Sequence, residues 1–88
     1  MASYRLLIKP SAARELEGIP KKDRQRLVTR LRSLTTDPRP SGCEKLSGED
    51  LFRIRQGKYR VLYSVGDEEL VILVIRIGHR REVYRSLN

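Results

Sequence analysis

Four cations, Arg53, Arg55, Lys58 and Arg60, crowd into the segment LFRIRQGKYRVLYSV that begins at Leu51. In LFRIRQ the apolar Phe52 and Ile54 alternate with Arg53 and Arg55, the period of a strand with one face on a core and the other in solvent. Gln56 and Gly57 read as a two-residue hairpin turn. Antiparallel pairing across that turn sets Phe52 opposite Val61 and Ile54 opposite Tyr59 on the buried face. On the open face it sets Arg53 opposite Arg60 and Arg55 opposite Lys58. Like charges directly opposite one another destabilise a sheet by roughly 0.2–1 kcal/mol per pair, so the fold alone gives no reason to gather them. An anionic ligand supplies one.

A second group follows where Gly78 lets the chain bend away from the last strand: His79, Arg80, Arg81, Glu82 and Tyr84. The sequence has no acidic pair at metal-ligand spacing, no nucleophilic Ser or Cys motif and no glycine-rich phosphate loop. Cations, one imidazole and a tyrosine remain. That set fits cleavage of RNA by attack of its own 2′-hydroxyl on the adjacent phosphate, because the substrate then brings the nucleophile. The protein has to align the hydroxyl, stabilise charge on the phosphorane with Arg and hold a base by stacking. The expectation is therefore a reaction without metal or other cofactor.

Composition points the same way. Nineteen Lys and Arg against eleven Asp and Glu give 88 residues a net charge of +8 and a pI near 10.3. Such a balance favours nucleic acid or an acidic protein as partner. Most of the cations are Arg, suited to bidentate phosphate contacts and to stacking on bases. The only cysteine, Cys43, has no disulfide or ligand partner at a suitable spacing and reads as a bystander in a reduced compartment. No apolar run approaches a membrane span or the core of a signal peptide, so no membrane association and a cytoplasmic location are expected.

KYRVLYSV followed by VIRIGHRREVYR, with its Tyr-Arg-x-x-Tyr and Gly-x-Arg-x-x-x-Tyr pairing, resembles the RelE/ParE superfamily of bacterial toxin–antitoxin toxins, and most of all its RelE branch. The resemblance implies a small α/β toxin that cuts mRNA in the ribosomal A site without a metal, thereby inhibiting translation, and that is silenced by a RelB-like antitoxin. The resulting complex would bind its own operator DNA. It also implies that Arg60 and Arg80 are the phosphate-stabilising arginines and Tyr84 the stacking or proton-accepting tyrosine. Arg53 and Arg55 stand where the RelE branch carries lysines. Arg stays protonated at any ordinary pH and is a poor general acid, so His79, whose imidazole can both give and take a proton, or Glu82 is expected to take that duty. Lys58, Arg76, Arg81 and Arg85 add cations for RNA, with Arg81 and Arg85 also placed to be solvated or to face an antitoxin. Two other functions stay open at this point: a ParE-like toxin that inhibits DNA gyrase by binding, without nuclease activity, and a basic RNA-binding module without catalysis.

The elements that must position these groups form one domain over residues 1–88. SYRLLIK (3–9) reads as a first strand stopped by Pro10, and Ser11 as the N-cap of a short helix with Ala12, Leu16 and Ile19 on one face. Pro20 opens a second helix whose stripe is Leu27, Val28, Leu31 and Leu34. Residues 37–50 carry two prolines and two glycines and read as one long connection. ELVILVIRI is apolar on both faces and reads as a central strand, so alternation does not say which way Arg76 points. Tyr59 and Tyr63 share the face of Val61 and read as core. The expected architecture is α+β: an N-terminal strand, a helical hairpin, then a three-stranded antiparallel meander, in one mainly antiparallel four-stranded sheet with the hairpin packed on the Phe52, Ile54, Tyr59, Val61 face.

Overall fold

Pro10 sets the first junction. Strand β1 (Arg5–Ile8) gives way at Lys9, held extended at φ −58° and ψ 144°, and helix α1 (Pro10–Glu17) starts on the proline itself. A residue before proline is driven out of the helical region, and proline has no N–H to leave orphaned at the first helical position. Lys9 is therefore the N-cap, and Ser11, expected there, lies inside the first turn. The computed structural model describes residues 3–46 and 50–79. Helix α2 (Lys21–Ser33) follows Pro20 as N-cap, and strand β2 (Glu44–Lys45) lies in the long connection. Strands β3 (Leu51–Gln56), β4 (Tyr59–Gly66) and β5 (Val71–His79) complete the described chain.

The strands form one sheet in the order β1-β5-β4-β3-β2, with β1 parallel to β5 and every other pairing antiparallel. The α+β class and the mainly antiparallel sheet agree with the sequence reading, but there are five strands rather than four. The addition is β2, whose Glu44 and Lys45 pair with Arg53 and Phe52. Two residues carry no periodicity that could reveal a strand.

The hairpin register also differs from expectation. The turn is centred on Gly57 and Lys58, not on Gln56 and Gly57, so Phe52 faces Tyr63, Ile54 faces Val61, Arg53 faces Leu62 and Arg55 faces Arg60. Gly57 takes φ 62° at the first central position of the turn, a conformation that glycine adopts without steric penalty and that matches the twist of the flanking strands. The partners shift by two residues, so Phe52, Arg53, Ile54, Arg55, Tyr59, Arg60 and Val61 stay on their expected faces, while Lys58, expected opposite Arg55, lies in the turn.

Leu27, Leu31 and Leu34 of α2 and the following turn, together with Ala12 of α1 and Ile19, are buried with Phe52, Ile54, Tyr59, Val61 and Tyr63 of the hairpin and Ile72, Val74 and Ile77 of β5. Both helices thus cover one face of the sheet. Tyr63 is fully buried and donates its hydroxyl to the Pro38 carbonyl at 2.8 Å; burial pushes its pKa well up. Arg39 holds the same loop down by stacking 5.1 Å above the Phe52 ring and donating two hydrogen bonds to Asp67. Those bonds, with one from the Tyr4 hydroxyl, lower the Asp67 carboxyl pKa.

Strand β5 outruns its neighbour. Pairing with β1 ends at Ile8 and Val74, which would leave the outer edge of Ile75–His79 without a ladder. Helix α1 supplies the substitute: Glu15 accepts the Ile77 N–H at 3.1 Å with one carboxylate oxygen and the Arg76 Nε–H at 2.8 Å with the other. Both side chains of this ion pair are about three-quarters buried, at 26% and 23% exposure. Removing the carboxylate strands the backbone N–H of Ile77 and takes this ion pair from Arg76. We expect Glu15→Ala to lower the unfolding free energy by about 1–3 kcal/mol, read as a lower urea midpoint at unchanged slope; an unchanged midpoint would show that β5 holds its end without α1.

Candidate functional site

At the turn end of the hairpin, Arg55, Gly57, Lys58, Tyr59, Arg60 and His79 line a pocket of about 370 Å³. Three constraints build it. The Gly57–Lys58 turn holds the ends of β3 and β4 together, so Arg55 and Arg60 stand directly opposite each other on the open face. Pairing of β4 with β5 then sets Gly78 beside Arg60 and His79 beside Tyr59. Gly78 has no side chain, so nothing from β5 stands next to Arg60 at that position. His79 shares the helix-covered face with Tyr59, and the two rings lie 4.9 Å apart at 49°. Both residues line the pocket at this end of the sheet.

Lys58 and Arg55 are exposed, while Arg60 and Tyr59 are more enclosed. The pocket is thus a mixed wall of guanidinium, ammonium, imidazole and phenol groups around a glycine turn. Among the described residues no carboxylate lines it. A polyanion entering here meets several hydrogen-bond donors aimed from three strands, the pattern that stabilises charge developing on a phosphoryl group.

The sequence candidates divide accordingly. Arg55, Lys58, Arg60 and His79 come together. Arg53 lies on the same face two residues along β3, but its guanidinium pairs with Glu44 of β2. Arg76 turns to Glu15 and belongs to a neighbouring groove of about 550 Å³ between the end of α1 and the end of β5, which also includes Lys58, Tyr59 and His79. Arg80, Arg81, Tyr84 and Arg85, with Glu82, lie outside the described residues. Sequence reading assigned Tyr59 to the core, and it is buried at 7% exposure, yet it also forms a wall of the pocket and carries the His79 ring. Its position next to Arg60 was visible, but its contact with His79 depends on β4–β5 pairing. Glu44 and Glu15 gave no signal, since each meets its arginine only through the fold. Among the described residues no group of three or more His, Cys, Asp or Glu side chains could hold a metal ion, and no helix is long and apolar enough to cross a membrane.

Comparison with known proteins agrees with this architecture. The putative toxin RelE1 of Methanocaldococcus jannaschii is 27% identical over 77 residues, covering 83% of this chain and 86% of that protein. Toxin RelG of Mycobacterium tuberculosis is 41% identical over 34 residues, a match that spans only 39% of each chain. The isolated E. coli RelE toxin superposes with a TM-score of 0.78 at 32% identity, over 93% of this chain and 92% of that one. The archaeal RelE in a RelE–RelB complex from Pyrococcus horikoshii gives 0.78 at 29% identity, over 90% and 97%. Residues 6–84 match the family described as ParE toxin of type II toxin-antitoxin system, parDE. With sequence, fold and family match in agreement over nearly its whole length, the chain belongs to the RelE/ParE superfamily and is a RelE-like toxin of a type II toxin–antitoxin system.

Proposed function

We propose that this toxin is an endoribonuclease that cuts mRNA in the ribosomal A site, without a metal, by using the RNA's own 2′-hydroxyl. The observation that carries the reading is the convergence of Arg55, Lys58, Arg60 and His79 on one pocket with no carboxylate in its described lining. The 2′-oxygen attacks the adjacent phosphorus, the bond to the 5′-oxygen breaks, and a 2′,3′-cyclic phosphate and a 5′-hydroxyl result. Arg60 and Arg55 are suited to the charge that grows on the non-bridging oxygens. His79 is the proton-transfer group, and Arg80 and Tyr84 are assigned from their sequence motif to phosphate stabilisation and base stacking. Arg53, engaged by Glu44, shapes the approach and does not act on the phosphate. Lys58, Arg76, Arg81 and Arg85 hold the strand by charge.

Gyrase inhibition is the second reading, and the match to the ParE toxin family favours it. The two separate in one assay. On translating ribosomes the purified toxin is expected to cut mRNA in the presence of a chelator added at a level that leaves the ribosomes intact, with cyclic phosphate and 5′-hydroxyl ends. Arg60→Ala and Arg80→Ala should each lower the rate by on the order of 10²-fold or more. Tyr84→Phe keeps stacking and loses hydroxyl chemistry, and His79→Ala tests the imidazole. No cleavage, with supercoiling by gyrase blocked instead, would replace the nuclease reading with the second one.

The partner we propose is a RelB-like antitoxin, acidic overall, that covers the cationic pocket in the cytoplasm, the assembled complex binding its operator DNA. RelE proteins in the related structures are found in complexes with RelB. Since screened charge supplies much of the attraction, the affinity should fall as salt rises from about 0.1 M to about 1 M, over which the Debye length shrinks from about 10 Å to about 3 Å. An affinity independent of salt would contradict a charge-led interface.

A further inference from the structure

The cations of this chain are not all treated alike. Arg39, Arg53 and Arg76 each have a carboxylate, from Asp67, Glu44 and Glu15. Helix α2, KKDRQRLVTRLRS, has a run of cations along its exposed side with Asp23 as its one acid. Lys22, Arg26 and Arg30 recur at every fourth position and so form one line on the helix surface, away from buried Leu27 and Leu31. Among the described residues none of the three has an ion-pair partner. The Nε of Arg30 is moreover buried without a hydrogen-bond partner, a costly state for a charged donor. A solvated face is the ordinary destiny of such residues, but these three line a groove of about 650 Å³ with Gln25, Thr29, Ser33 and Gln56.

We propose that this groove docks the phosphodiester backbone of double-helical RNA, at a surface separate from the cleavage pocket. At a rise of 1.5 Å per residue, cations four apart stand roughly 6 Å from one another along the axis, close to the step between successive phosphates on one strand. The groove has no aromatic or large aliphatic lining, whereas the buried centre of a protein–protein interface is enriched in such side chains and depleted in charge; an acidic protein is the poorer fit. The interleaved Gln25, Thr29, Ser33 and Gln56 offer both donors and acceptors, which suit the 2′-hydroxyls displayed beside the backbone of an RNA helix and absent from DNA. Gln56 lines this groove while its neighbours Arg55 and Gly57 line the pocket. The two surfaces therefore flank the same turn, and a helix held on α2 would hold the chain with its cleavage pocket in a set direction.

The test is binding of the whole protein to a short RNA duplex, with a DNA duplex of the same sequence beside it, followed by anisotropy over a range of salt. Lys22→Gln/Arg26→Gln, both exposed positions, is expected to weaken RNA duplex binding about tenfold and to flatten the slope of log affinity against log salt by about 2, one for each lost phosphate contact. Lys9→Gln/Lys45→Gln removes the same charge elsewhere and should change affinity less than threefold. Duplex binding is read without any cleavage, so this inference stands or falls independently of the proposed nuclease activity. Equal losses in the two charge-matched variants would reduce the groove to diffuse attraction and overturn the proposal. So would a DNA duplex that binds as tightly and responds in the same way, or a Lys22→Gln/Arg26→Gln protein that loses antitoxin and keeps RNA.

Discussion

A hairpin that turns at Gly57 and Lys58 sets Arg55 directly against Arg60, and the rest of the molecule is arranged around that juxtaposition. Cross-strand like charges work against the sheet, so pairing must be enforced by what lies on the other face. There Ile54 faces Val61, both fully buried, under Leu27, Leu31 and Leu34. Burial of each such side chain contributes about 1.5–3 kcal/mol, several times the repulsion of one exposed pair. The apolar face fixes the register, and the cations follow it.

The same logic explains where the carboxylates are. Glu44 answers Arg53 and Glu15 answers Arg76, each from an element that also closes an edge of the sheet: β2 beside β3, and α1 beside the overhanging end of β5. These two arginines are fastened to the scaffold. Among the described residues Arg55 and Lys58 have no such counter-ion, and they stand at the pocket wall. Tyr59 links the two regimes, since its ring is packed with the core and still supports His79. Glu15 of α1 holds the backbone of Ile77, two residues before His79.

Much of this was legible in the residues. Alternation in LFRIRQ and KYRVLYSV sets Phe52, Ile54, Tyr59, Val61 and Tyr63 on the core face and Arg53, Arg55 and Arg60 on the other, as the structure has them, whereas Lys58 lies in the turn and not in a strand; of the stripe Leu27, Val28, Leu31 and Leu34, all but Val28 are buried against that core. The register was not legible, because Gly57 can occupy either central position of a two-residue turn and both choices keep the faces. Ser11 has the side chain of a cap, but Pro10 drives Lys9 out of the helical region and makes Lys9 the N-cap. The direction of Arg76 was hidden by apolar residues on both faces of β5. It was hidden further by an irregularity that leaves Ile75 unpaired between the Leu62–Arg76 and Tyr63–Val74 steps, which resets alternation as a bulge does. Ion pairs such as Arg53 with Glu44 join residues whose separation a sequence cannot convert into distance. The family resemblance supplied roles for Arg80 and Tyr84 that local pattern alone did not.

On this view the pocket cations are kept for an anionic ligand and not for the fold. It is tested most directly by thermal unfolding of the parent and of Arg55→Gln/Lys58→Gln, with and without a short single-stranded RNA whose 2′-oxygens are methylated so that it binds uncut. The variant should be at least as stable as the parent in the absence of RNA, and an RNA-induced rise in Tm should be present in the parent and lost in the variant, as linkage requires of a ligand bound only by the folded state. A variant that is less stable alone and still gains the same rise with RNA would contradict it.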